Sequence, residues 1–194
     1  MPTQAERRSS TRARLIEAAR SLFVEGGFED TSTEAILDAA SLSRGAMYHH
    51  FATKRDVFEA VFEQVSDEAI AGALRAGSHP TSPLDELVRG CLAWLREVRR
   101  PGVAAILIEQ GPAVLGWKRA RDLEAKTSLG LMTRSLERAA RAGEVEVPSV
   151  PLAARFINAA LAEAALAARH DRRVSRVRIE ASIRQLIGGL APLS

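Results

Sequence analysis

Apolar residues recur along this chain at helical spacing, and no stretch shows the strict alternation of a half-buried strand. Over residues 11–25, Leu15, Ala19, Leu22 and Phe23 fall at i, i+4, i+7 and i+8, and Gly26-Gly27 supplies a stop. The run "TSTE", residues 31–34, reads as a capping box that opens a short second helix ending near Ala40. Ser43 is placed to cap a third short helix through His49, and two short helices about a tight turn make a helix-turn-helix pattern. Thr53, with Asp56 three residues on, starts a fourth helix whose positions Val57, Phe58, Val61, Phe62 and Val65 keep the period to about Ala76. "GSHPTSP", residues 77–83, is the clearest break in the chain. Beyond it the pattern predicts helices over 84–99, 103–110, 117–142, 151–170 and 176–188, punctuated by Pro101-Gly102, Gly111-Pro112 and the prolines of 148–151. The fold class expected is all-α.

Composition agrees with closely packed helices: 46% of the 194 residues are hydrophobic but only 5% aromatic. The net charge of +3 is the small difference between 27 basic and 24 acidic side chains, and the first 60 residues hold 8 basic and 9 acidic ones. An anionic partner must therefore be recognised by local arrangement, because total charge does not select one. A single cysteine, Cys91, rules out an intrachain disulfide and a four-thiolate zinc site, and fits a reducing cytoplasm. No run of 18 apolar residues occurs, so no membrane span is expected. The opening "MPTQAERRSSTRARL" lacks the apolar core of a secretory signal and reads as a flexible basic arm.

The stretch "LSRGAMYHHFATKRDVF", residues 42–58, has no acidic residue between Asp38 and Asp56. Adjacent histidines on a helix point about 100° apart, so His49 and His50 do not converge on one metal, and His79 and His170 are remote in sequence. No metal or cofactor is expected. A catalytic histidine would need a nucleophile and an orienting partner, and no such motif is present. Tyr48 and Phe51 could be packing anchors for the third helix. Packing alone leaves unexplained a helix that opens Ser-Arg-Gly-Ala and closes Tyr-His-His. Small residues let a helix backbone approach a partner closely, and an arginine there reaches the O6 and N7 acceptors of guanine. Tyr48, His49 and His50 offer donors to phosphate oxygens, and Lys54 sits in the first turn of the next helix, where an anion is also favoured.

The pattern "LIEAARSLFVEGGFEDTSTEAILDAASLSRGAMYHHFATKRDVFEAVF", residues 15–62, resembles the N-terminal domain of the TetR family of bacterial transcriptional repressors. "LFVEGGFEDTS", "SRGAMYHHFATK" and the spacing between them carry the resemblance; the rest of the chain is similar mainly in helical layout. The resemblance implies a three-helix DNA-binding domain over residues 1–52, joined by a long helix to a helical effector-binding and dimerisation domain over 53–194. It places phosphate and groove contacts on Thr33, Ser43, Tyr48, His49, His50 and Lys54, with Arg44, Gly45 and Ala46 at the base edges. The chain departs from the family pattern at Ser41, where a turn glycine is common, and at Leu37, where alanine is usual. Glu34 is acidic where some relatives read bases, and is assigned here to capping.

One such unit covers few base pairs, so recognition of a palindromic operator implies a homodimer. Ile179, Ile183, Leu186, Ile187 and Leu190 form an apolar stripe, and with the alanine-rich helix before them predict dimerisation through the last two helices. Cys91, Trp94, Trp117, Met132 and Phe156 at helical spacing suit an ordinary core; the resemblance makes them, with Asn158 and Glu163 as polar orienters, candidates to enclose a small, largely apolar effector. The expected function is that of a ligand-responsive repressor in the cytoplasm. A helical enzyme would lack every catalytic motif, and an architectural DNA protein would show little sequence preference.

Overall fold

The computed structural model describes residues 3–76, 80–171 and 173–192, and among them the regular elements are all helical. Two compact units form: Met1–Val65 with Ala105–Ala120, and Ser66–Ala104 with Arg121–Ser194. The first thus takes in residues 53–65 and 105–120, which lie beyond the expected domain boundary at residue 52.

In the first unit, α1 (Gln4–Asp30) starts earlier than its apolar stripe. Thr3 Oγ1 accepts from the Glu6 amide at 3.2 Å while the Thr3 amide donates to Glu6 Oε2 at 2.6 Å, a capping box that satisfies donors at the new helix end. The expected flexible arm is therefore helical from Gln4 onward. Gly26-Gly27 kinks the helix without ending it: Gly27, at φ 80 and ψ 170, takes a conformation open to glycine and helix resumes to Asp30.

The capping box expected at 31–34 is not formed. Thr31 is buried and donates its hydroxyl to the Gly27 and Leu22 carbonyls at 2.7 and 3.3 Å, closing α1. Ser32 caps α2 (Thr33–Ala40) instead, accepting from the Ala35 amide at 3.0 Å. Ser43 caps α3 (Arg44–Tyr48), and a reciprocal Thr53–Asp56 pair at 2.8 and 3.2 Å opens α4 (Lys54–Ala76). Leu15, Ala19 and Phe23 of α1, Ile36 and Leu37 of α2, Met47 of α3, and Val57, Phe58 and Val61 of α4 are buried. The rings of Phe23, Phe28 and Phe58 lie 5.3–5.6 Å apart, mostly edge to face, as aromatic quadrupoles prefer.

The same unit holds a π-helical turn (Ala105–Gln110) running directly into α6 (Gly111–Leu115). Gly111-Pro112 does not interrupt the chain as expected, because a proline in the first turn of a helix lacks only an N–H that has no partner there.

The second unit contains α5 (Pro83–Val98), most of α7 (Trp117–Lys126), α8 (Ser128–Arg141), α9 (Val150–His170) and α10 (Arg176–Gly188). Gly77, Ser78 and His79 of the expected break lie outside the described residues, and Ser82 caps α5 by accepting from Asp85 at 3.3 Å. The single helix expected over 117–142 is two, broken at Thr127; a Cβ at Gly130 would stand 2.4 Å from the Ala125 carbonyl, so the break needs glycine there. α5, α8, α9 and α10 pack on one another through Leu87, Leu92 and Leu95, Leu136, Ala154, Ile157 and Leu161, and Ile183 and Ile187. By length and composition α9 could cross a membrane, with mean hydropathy 1.3, and within this unit it packs against α5, α8 and α10.

Candidate functional site

Met47, 1% exposed, fixes the rotation of α3 by turning one face of this short helix into the core. Arg44, Gly45, Tyr48 and His49 are thereby left exposed, with Tyr48 54% open, while Ala46 and His50 are half-buried. Ser43 Oγ accepts from the Ala46 amide at 3.3 Å and keeps its own proton as a donor. Thr33 stands half-buried in the first turn of α2. A Cβ built at Gly45 would meet nothing within 4 Å. Packing gives no reason for glycine inside this helix, where it costs up to about 1 kcal/mol relative to alanine. What the missing side chain does provide is an approachable backbone.

Arg44 pairs with Glu34, so the Glu34 carboxylate is engaged here rather than in capping. The two side chains are 62% and 61% exposed, so the pair is worth about 0–1 kcal/mol and yields readily to a better acceptor. Ser41 occupies the left-handed region at φ 51, ψ 51, the conformation the usual turn glycine would take. Arg14 of α1 clamps this turn, its Nη2 donating to the Ala40 and Ser41 carbonyls at 2.5 and 3.2 Å. Nothing in the spacing of Arg14 announced that role, which depends on a contact 26 residues along the chain.

His49 and His50 stand edge to face with centroids 5.3 Å apart, and the Arg12 guanidinium lies over the Phe51 ring at 5.3 Å. Desolvation lowers the pKa of His50 below its ordinary value, and the positive fields of His49, Arg8 and Arg12 lower it further. α3 is thus flanked by cations from α1, which add to its attraction for a polyanion.

Lys54 is bonded within its own unit. Its ammonium donates to the Phe28, Thr31 and Glu29 carbonyls at 2.7, 2.8 and 3.4 Å and sits 4.2 Å from the Phe28 ring centroid. An ammonium has three donors, and all three are committed to the end of α1 and the turn after it. Through these contacts Lys54 ties the start of α4 to the end of α1.

The second unit encloses a cavity of about 260 Å³ between α4, α5, α8 and α9. Of the candidate effector residues, Cys91, Trp94, Met132 and Asn158 line it, together with Leu87, Leu131 and Leu161. Trp117 and Phe156 do not: they are 67% and 64% exposed, and Trp117 belongs to the first unit. Helical spacing does not distinguish the inner from the outer face of a helix, so it could not separate these two from the lining residues. Glu163 is exposed on α9 and does not line the cavity. Sequence reasoning also missed Ser135, Glu86 and Arg89, which line the cavity with polar groups. Burial pushes the Cys91 thiol up to about 12, so it stays neutral and behaves as a small apolar group. Among the described residues no three His, Cys, Asp or Glu side chains are grouped to hold a metal ion.

An exposed short helix after a tight turn, seated by one buried methionine and bordered by arginines, defines a helix-turn-helix protein of the DNA-binding class rather than an enzyme. Residues 15–61 match the family described as "Bacterial regulatory proteins, tetR family", and residues 84–190 match "Tetracyclin repressor-like, C-terminal domain". The chain belongs to the TetR family of transcriptional regulators. It is similar to the HTH-type transcriptional regulator UidR of Escherichia coli (strain K12), with 38% identity over 71 residues, 37% of this chain and 35% of UidR. The match thus spans about a third of UidR. Similarity to the uncharacterized HTH-type transcriptional regulator YfiR of Bacillus subtilis (strain 168) is 28% over 159 residues, 76% of this chain and 74% of YfiR. The crystal structure of a TetR-family transcriptional regulator from Pectobacterium atrosepticum superimposes with a TM-score of 0.70 at 30% identity, covering 97% of this chain and 94% of that one.

Proposed function

We propose that this protein is a cytoplasmic, ligand-responsive repressor that binds a palindromic operator as a homodimer and is released by a small, largely apolar effector. The observation that carries this reading is the open face of α3, where Arg44, Gly45, Tyr48 and His49 stand exposed around a backbone with no packing reason for its glycine. In this reading Arg44 leaves Glu34 for a guanine edge, with Gly45 and Ala46 beside it. Tyr48, His49, His50, Ser43 and Thr33 hold the flanking phosphates. Residues 1–52 act as the DNA-reading part, and residues 53–194 carry effector binding and dimerisation.

A homodimer is supported by apolar side chains left outside the core of the second unit. Leu152 and Phe156, one turn apart on α9, are 47% and 64% exposed, and Val177 and Leu186 of α10 are exposed as well. Only 28% of the apolar window of α9 is buried within one subunit, and a second copy would cover such a surface. The lined cavity supports an effector. If that effector binds best when the two reading helices are off the operator spacing of about 34 Å or a multiple of it, its differential affinity shifts the dimer away from DNA.

The test is selection of DNA fragments retained by the purified protein, followed by mobility shifts at fixed salt against a scrambled site. A palindromic site bound by the dimer is expected, and Arg44→Ala should cost about 1–3 kcal/mol there and relax base preference at one position per half-site. Equal binding to specific and scrambled DNA would instead describe an architectural protein.

A further inference from the structure

We infer that the cavity of the second unit selects a neutral, apolar molecule bearing a hydroxyl group, whose proton is accepted by Asn158 Oδ1. The inference rests on the reading of this cavity as the effector site. Asn158 is 8% exposed on a helix face otherwise built from Ala154, Ile157 and Leu161, where an amide is costly to bury without partners. Its Nδ2 donates to Glu124 Oε2 at 3.0 Å, and Glu124 is held by Arg121 Nη1 at 2.7 Å. A carboxylate only accepts, so this contact fixes the amide with its NH₂ group toward Glu124. Asn158 Oδ1 makes no hydrogen bond to any described residue, although Asn158 lines the cavity. The amide therefore offers an acceptor, and the complementary ligand group is a donor.

The second polar feature differs in sense. Ser135 lines the same cavity and its Oγ accepts from Arg138 Nη2 at 3.2 Å, which leaves the Ser135 proton to donate to a ligand oxygen. A hydroxyl serves both kinds of contact, and a purely apolar molecule serves neither.

Charge disfavours an acid beside Asn158. The ionic groups of the lining are already engaged: Glu86 receives Arg138 at 2.7 Å and Arg89 donates to Asp85 at 2.7 Å. A carboxylate entering beside Asn158 would face the Glu124 carboxylate behind that amide, and Arg89, a described cation of the lining, is shared with Asp85. The remaining wall, with Leu87, Trp94, Leu131 and Met132, favours an apolar body. A volume of about 260 Å³ lies just below the usual range for ligand cavities, roughly 300–1,000 Å³, and admits one substituted ring.

Isothermal titration of the full-length protein with para-tert-butylphenol, its methyl ether and para-tert-butylbenzoate tests this with one apolar body and three polar heads. The phenol should bind about tenfold tighter than the ether, the worth of one buried hydrogen bond, and the benzoate most weakly. Asn158→Leu should bring phenol and ether to equal affinity. Ser135→Ala should weaken both and preserve the gap, since either oxygen can accept from serine. Equal binding of phenol and ether by the wild type, tighter binding of the benzoate, or a gap that survives in folded Asn158→Leu overturns the hydroxyl assignment while the effector cavity stands. If none of the three binds the wild type, the cavity reading falls and the inference with it.

Discussion

In the first unit the groups assigned to DNA stand outside a core: Arg44 and Glu34 are both more than half exposed, and Tyr48 projects into open space. In the second unit the groups assigned to a small molecule lie inside one, where Asn158 and Ser135 are 8% and 9% exposed and each is tied to a charged partner. The contrast follows from the solvent each set must replace. A duplex carries its own water and counterions to a surface, so its contacts need no partners before it arrives. A buried amide must be satisfied in the empty protein, so its orientation, and with it the chemistry of the ligand, is fixed in advance.

Lys54 breaks that contrast, because it belongs to the first unit yet its donors are spent internally. Lys54→Met is expected to lower stability by about 1–3 kcal/mol in a denaturant titration, since it removes a charged donor from three carbonyls. The slope of log affinity for DNA against log salt should not change. A variant of unchanged stability whose slope is shallower by about 0.9 would instead put Lys54 on a phosphate and return it to the DNA-binding set.

The helix-turn-helix was legible because its parts are contiguous. Caps at Ser43 and Thr53 and the charged Arg44 fall within a dozen residues and need no tertiary contact to be read, whereas the inward Met47 that seats α3 gave no sign of its direction. The cavity was legible only in part, since its walls come from four helices and helical spacing cannot tell an inner from an outer face. Cys91, Trp94, Met132 and Asn158 line it, whereas Trp117 and Phe156 are exposed. Arg14 over the Ser41 turn and Glu124 behind Asn158 gave no local sign, because each acts on a residue more than two dozen positions away. The short capping motif at 31–34 misled for the opposite reason: the buried Thr31 found a better acceptor in the backbone of α1, leaving Ser32 to cap.

Gly45 sharpens the comparison at a smaller scale. If its only function is to let a duplex approach, Gly45→Ala should separate folding from binding. Stability is expected to rise by up to about 1 kcal/mol, because alanine is the better helix former and its Cβ meets nothing. Operator affinity should fall about tenfold as the added methyl group holds α3 off the groove. Thermal denaturation and mobility shifts on the same preparation measure both, and a variant that gains stability with full affinity would remove Gly45 from the interface.

The smallest effect expected is a pH dependence carried by His50. Its pKa is lowered in the free protein, chiefly by desolvation and then by His49, Arg8 and Arg12. The unfolded chain therefore binds more protons between that lowered value and the ordinary one near 6.5, and His50 makes the fold less stable as pH falls through this window. In the proposed complex DNA reverses the balance. A phosphate beside His50 favours the imidazolium, so the complex takes up a proton the free protein lacks and operator affinity should rise as pH falls from about 7.5 to about 6. Replacing His50 with asparagine should remove a few-fold of that rise, with His49 still present in both proteins. Identical pH profiles for the two would mean that no phosphate reaches His50, and would narrow the interface to Arg44, Gly45, Tyr48 and His49 on the open face of α3.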